Sequence, residues 1–196
     1  MGSLILLTGR PGVGKTTVFR RTVNLLRERG LVVGGMFSSE IRRSGQRIGF
    51  EISDLLSGDS GTLADIESER GPRIGKYRVN LVDLESIGVS AIRRALEEAD
   101  IVCCDEIAPM ELSSPLFREV IRETMESRKP FLGTIHQTTQ DSLIQEIKMN
   151  PMAVVYEVTT ENRNTLHLHI VQHFEGDYRS NQSFFPGRTD PCQNLT

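Results

Sequence analysis

Residues 3–17 read SLILLTGRPGVGKTT, and this stretch decides the fold. Ser3 to Thr8 is a short apolar run bounded by a glycine-rich turn, which predicts a buried strand. From Lys15 to Arg29 the pattern changes. Phe19, Val23 and Leu26 fall on one face, with Arg20, Asn24, Arg27 and Glu28 elsewhere, so a helix is expected and Gly30 ends it as a left-handed cap. Between strand and helix, Gly9-Arg10-Pro11-Gly12-Val13-Gly14-Lys15-Thr16 matches G-x-x-x-x-G-K-[ST] in full, and Thr17 follows. The glycines let successive backbone amides turn inward, where they and the helix N-terminus bind phosphate oxygens. Lys15 is suited to the β- and γ-phosphates and the Thr16 hydroxyl to Mg²⁺.

A second apolar run ends in acid: Ile101-Val102-Cys103-Cys104-Asp105-Glu106. Asp100 to Cys104 predicts a strand that delivers two carboxylates at its end, the form of a Walker B strand. Asp105 is then the candidate for Mg²⁺ and Glu106 for orienting or deprotonating a water. Two acids after a strand are ordinarily a solvated strand end; the phosphate loop makes the pair functional. Cys103 and Cys104 read as small buried residues.

The remainder alternates short apolar runs with amphipathic stretches, which predicts an α/β fold. Strands are expected at 31–41, 47–55, 130–135 and 153–159, and short strands with loops over 56–80. Helices are expected at 84–99, 115–128 (capped by Ser114), 139–148 and 164–174. Gly88 weakens the first of these. Periodicity stops after Phe174, so the expected organisation is one domain over 1–174 and a flexible tail over 175–196.

Composition closes off other classes. The 196 residues carry a net charge of -3, with 38% hydrophobic and 25% charged residues, which suits a globular domain and not a general nucleic-acid binder. Leu4 to Leu7 is too short for a signal core or a membrane span, Leu6 spoils a myristoylation signal, and three cysteines make no disulfide framework. The expected compartment is the cytoplasm.

Taken in order, four blocks resemble the small P-loop nucleoside-triphosphatases first described from thermophiles. They are Thr8 to Thr17, Gly75-Lys76-Tyr77 before Val79-Asn80, Asp105 to Leu112 with Ser113 to Phe117, and Gly133 to His136 with Val158-Thr159 and Glu161-Asn162-Arg163. The resemblance spans about residues 3–174. It implies a RecA-like three-layer α/β sandwich with a β-rich insertion, and Mg²⁺-dependent cleavage of ATP, GTP, CTP, UTP and TTP to diphosphate and phosphate. It also implies a nucleotide site at residues 9–16 and 101–108, so Ile107 and Ala108 join the candidates. One departure stands out: where the family has Gly after the acidic pair and Ile, this chain has Ala108, held extended by Pro109. Reduced turnover at most is expected from it.

Further candidates are weaker. His136, with Gln137, follows the strand after the acidic one, where RecA-like enzymes sense the γ-phosphate; an ordinary strand-end histidine is the alternative. Arg163 suits base stacking, an arginine finger or a surface ion pair equally. Arg73, Lys76 and Arg78 are either a phosphate-neutralising lid or a solvated loop. His167, His169 and His173 supply too few ligands for zinc. A hydrolase comes first, a small-molecule or polynucleotide kinase second, and an ATP-dependent partner-binding module third. A GTPase switch is disfavoured, because no Asn-Lys-x-Asp is present and Ala108 breaks D-x-x-G. The expected protein is a monomer acting on nucleoside triphosphates, with no membrane or general nucleic-acid surface.

Overall fold

A computed structural model describes residues 2–127 and 129–180. One nine-stranded sheet runs through the molecule. Its strands are β1 (Leu4–Thr8), β2 (Val33–Arg43), β3 (Gln46–Asp54), β4 (Ser60–Asp65), β5 (Arg73–Ile74), β6 (Tyr77–Val79), β7 (Ile101–Ile107), β8 (Phe131–Ile135) and β9 (Ala153–Glu157). Their order is β5-β6-β4-β3-β2-β7-β8-β1-β9. Strands β2, β7, β8, β1 and β9 pair in parallel, which explains why Leu4–Leu7 of β1 and Ile101–Cys104 of β7 are unbroken apolar runs: both of their faces are covered.

The helices are α1 (Lys15–Glu28), α2 (Leu81–Asp83), α3 (Ser90–Glu98), α4 (Pro115–Glu126), α5 (Ser142–Met149) and α6 (Leu166–Ser180). Two cores make the layers. On one face Val18, Phe19, Val23 and Leu26 of α1 and Ile170, Val171 and Phe174 of α6 pack on Ile5, Leu7, Cys103 and Leu132. On the other, α3, α4 and α5 pack on Leu4, Leu6, Val102 and Cys104. Alternate residues of β1 and β7 thus serve opposite cores, as a period of two requires. The arrangement is the P-loop three-layer sandwich.

The β-rich insertion grows out of β2. Its first five residues pair with β7, ending at Phe37 opposite Asp105. The strand then continues beyond that point as a hairpin with β3, to which β4, β6 and β5 add antiparallel.

Several expected boundaries shift. The acidic strand runs to Ile107 and not to Cys104. The helix expected at 84–99 begins at Leu81, capped by the Asn80 side chain, and Leu84–Val89 is wound as a π-helix. The last helix passes the expected end at Phe174 and runs to Ser180, so residues 175–180 of the expected tail are helical. Glu175 anchors that extension to Arg29 at 2.9 Å, and no proline interrupts it before Pro186. Residues 181–196 of the expected tail lie outside the described residues.

Candidate active site

The phosphate loop joins β1 to α1 on the C-terminal side of the parallel strands. Gly9 is buried at φ +146, and a Cβ there would lie 2.7 Å from the Val158 carbonyl oxygen, so only glycine lets the loop rest on the segment after β9. Gly14 stands at the N-cap of α1 at φ 114 and offers no side chain to the first-turn amides. Those amides face outward as an anion site. Arg10, Pro11, Gly12, Thr16 and Thr17 are exposed along the loop; Val13, Gly14 and Lys15 are half-buried. The Lys15 ammonium donates to the Gly9 carbonyl at 3.3 Å and stands 3.7 Å from Glu106 Oε1.

Strand β8 lies between β1 and β7, so the acidic pair approaches the loop across one intervening strand. Ile101, Val102, Cys103 and Cys104 do not reach the site. Their side chains are buried in the two cores, and their part is to carry Asp105. Ile107 is likewise core. Asp105 is 2% exposed. It accepts a hydrogen bond from the buried Thr134 hydroxyl of β8, while its Oδ2 has no partner; the nearby Thr16 hydroxyl favours its charged form. Burial pushes its carboxyl up to about 7, against the pull of the Thr134 hydroxyl; the neighbouring Glu106 adds to the rise. Glu106 Oε1 is buried without a hydrogen bond, and the Lys15 contact is a charge pairing only.

Ala108 does not stand at positive φ. Among the described residues Ser44 is the one non-glycine at positive φ, so the left-handed conformation open to the family glycine is not taken up here. The Ala108 carbonyl accepts from Leu112 N at 2.9 Å, turning the chain into a 3-10 turn at Glu111–Ser113. This turn buries Glu111, whose Oε2 has no partner. Burial holds that carboxyl well above the usual range, the amides of Glu111 and Ala108 oppose the rise, and Glu106 and Asp105 reinforce it. Glu111 and Thr134 are site residues that the sequence reading quoted but gave no role. The available signal at Thr134 was one hydroxyl inside the otherwise apolar run Phe131–Ile135.

His136 lies beside the acidic strand, its amide donating to the Ile107 carbonyl at 3.3 Å, and its Nδ1 meets the Thr139 hydroxyl at 2.9 Å. Gln137 turns to Glu157. Arg163 lies against the phosphate loop: its Nη1 donates to the Val13 carbonyl at 3.4 Å, and its Cδ is 3.5 Å from where a Gly14 Cβ would be. The three basic residues of the β5–β6 hairpin sit at the opposite sheet edge from β1 and β9. Arg73 and Arg78 donate to the Gly75 and Gly71 carbonyls, and Lys76 to that of Arg47. His173 links the Ser3 and Tyr156 hydroxyls; among the described residues no group of three or more His, Cys, Asp or Glu side chains is arranged to hold a metal.

The model of the NTPase family matches residues 4–171. The chain belongs to the NTPase family. It is 47% identical over 162 residues to the nucleoside-triphosphatase THEP1 of Thermofilum pendens, covering 82% of this chain and 89% of that one. To THEP1 of Methanopyrus kandleri it is 41% identical over 170 residues, 86% and 93% of the two chains. The crystal structure of THEP1 from Aquifex aeolicus superposes with a TM-score of 0.77 at 30% identity, covering 87% of this chain and 98% of the other. The solution structure of a human cancer-related nucleoside triphosphatase superposes with 0.76 at 34% identity, covering 89% and 98%. This NTPase-family member is an enzyme, a nucleoside-triphosphatase, and its sandwich is the family's fold.

Proposed function

We propose that this NTPase hydrolyses ATP, GTP, CTP, UTP and TTP alike to the nucleoside diphosphate and phosphate, with Mg²⁺, as a cytoplasmic monomer. The observation that carries the reading is the meeting of Glu106 with Lys15 at 3.7 Å across the mouth of the phosphate loop. A carboxylate there lies beside the group suited to hold the γ-phosphate.

Mg²⁺ fits the residues present. Asp105 has a buried oxygen without a partner, and Thr16 supplies a hydroxyl near the same carboxylate; both are hard oxygen donors. Thr16 and Asp105 would hold the ion, with Asp105 acting directly or through water. The metal supplies neutralisation of charge on the β- and γ-phosphate oxygens. The chain does the rest. Amides of residues 9–16 orient the polyphosphate, and Lys15 leaves the Gly9 carbonyl to grip it. Thr134 holds the Asp105 carboxylate in one orientation. Glu106 takes the proton of the attacking water as its oxygen bonds to phosphorus and the bond to the diphosphate breaks.

Broad base tolerance is supported by Arg163. Its guanidinium lies over the loop with one carbonyl partner, and a planar cation stacks on any base. The kinase alternative needs a basic lid that excludes water. The β5–β6 cations occupy the far sheet edge with backbone partners, which favours the hydrolase. The test is phosphate release from each triphosphate with and without Mg²⁺, with Lys15→Ala as the blank. Release from all of them that depends on Mg²⁺ and not on an acceptor is expected. Release that requires an added acceptor hydroxyl would replace the hydrolase with a kinase.

A further inference from the structure

Two loops leave the C-terminal ends of the neighbouring strands β7 and β8: the turn after Glu106, through Leu112, and the segment that begins at His136. One side chain joins them. Arg118, in the first turns of α4, donates from Nε to the Leu112 carbonyl at 2.7 Å, and from Nη1 to Asp141 Oδ1 at 3.1 Å. Its Nη2 reaches Asp141 Oδ2, which completes a bidentate pair. Arg118 and Asp141 are both largely shielded, with side chains 29% and 19% exposed. Such a fork fixes orientation as well as distance.

Asp141 is built into the second loop. It caps α5 by accepting from Leu143 N at 2.9 Å. The loop closes on itself from there: Gln145 Nε2 donates to the Thr139 carbonyl at 3.3 Å, and the Thr139 hydroxyl meets His136 Nδ1. With the Gln145 backbone amide donating to the Asp141 carbonyl at 3.1 Å, a continuous set of bonds runs from the turn that follows Glu106 to the imidazole of His136. None of its members belongs to the phosphate loop or the acidic pair.

We propose that Arg118 is a positioning residue for hydrolysis: by clamping Asp141 to the Leu112 carbonyl, it makes the Glu106 turn and the His136 loop approach the γ-phosphate as one unit. The inference rests on the reading of Glu106 as the group that activates water. Arg118 touches neither the phosphate loop nor Arg163, the groups read here as holding the nucleotide, so the clamp acts on turnover. Misplacement of a reacting group by about 1 Å is enough to slow a step by about a hundredfold.

The experiment compares Arg118→Met, Asp141→Asn and the double variant in full-length protein, below their melting temperatures. It reads kcat and KM for ATP hydrolysis and Kd for ADP. Asp141→Asn keeps a helix cap and removes the charge partner, so it guards against a folding defect in Arg118→Met. The expected result is a fall in kcat of about tenfold or more in each single variant, with the ADP Kd within about twofold of wild type. The double variant is expected to be no slower than the slower single, since both remove one contact. Unchanged kcat, a parallel loss of ADP affinity, or losses that multiply in the double variant would each overturn the proposal. Glu106→Gln, run beside them, separates the two readings. If it turns over normally, the role of Glu106 fails; if it is dead while the Arg118 set is unaffected, only the clamp fails.

Discussion

Replacing Asp105 by Asn is expected to stabilise the unliganded protein at alkaline pH while weakening its response to Mg²⁺ and nucleotide. The Asp105 carboxyl is buried beside Glu106 with Oδ2 unpartnered, and it titrates at about 7 against an ordinary value of 3.8. The folded value lies above the unfolded one. The stability associated with the neutral form is therefore complete below pH 3.8, declines as pH rises, and is gone above pH 7. The decline amounts to about 1.36 kcal/mol per pH unit. Between pH 5 and pH 8 only the part below 7 counts, so wild type loses about 2–3 kcal/mol that Asp105→Asn does not lose. In a domain of this size that is about 5–10 °C in Tm. The assay is thermal unfolding of both proteins, metal-free, at pH 5 and pH 8. The double difference cancels titrating groups that do not couple to Asp105 and any fixed cost of the amide. Adding Mg²⁺ with ADP should raise the Tm of wild type by clearly more than that of the variant, which keeps the phosphate loop and loses a metal ligand. Equal pH slopes for the two proteins, or a full Mg²⁺–ADP upshift in the variant, would refute the reasoning.

Other outcomes can be stated briefly. Glu106→Gln should retain Mg²⁺–nucleotide binding by calorimetry and lose about a hundredfold or more in kcat, in line with general-base losses. Gly9→Ala forces a methyl to 2.7 Å from the Val158 carbonyl oxygen at φ +146; we expect a stability loss of at least about 2 kcal/mol by urea titration, with weaker nucleotide binding. Truncation after Ser180 should leave Tm and phosphate release within error of the full chain, whereas truncation after Phe174 removes the Glu175–Arg29 pair and the last turns of α6 and should lower Tm measurably.

The phosphate loop, its flanking strand and helix, and the acidic strand were legible because each is a local pattern with a local cause. The apolar run of β1, the face of α1 and the glycines of residues 9–14 each declare their state within a dozen residues. Contacts between distant segments were not legible. Nothing near Asp105 in sequence announces Thr134, and nothing near Asp141 announces Arg118; both pairings come from the adjacency of β7 and β8. Gly88 is instructive in a different way. It read as a weakness in a helix, whereas a Cβ there would stand 2.5 Å from Ile52 Cδ1 and 3.0 Å from Met36 Sδ, so its missing side chain lets the π-wound segment press against β2 and β3. The end of α6 was misplaced because residues 175–180 (EGDYRS) carry no apolar periodicity in the sequence, while Glu175 is held by an ion pair to the distant Arg29.

The length of β2 has one more consequence. A single uninterrupted strand pairs with the backbone of Asp105 at Phe37 and then becomes the first strand of the insertion. The insertion is therefore not a module plugged into a loop. It is the guard rail of the catalytic sheet: excise it, and Met36 and Phe37 lose their partners Asp54 and Ser53, which opens an edge on the strand next to the one that carries the acids. Loss of this subdomain would then be felt first as self-association of the chain along that border, before any change in how the site treats its substrate.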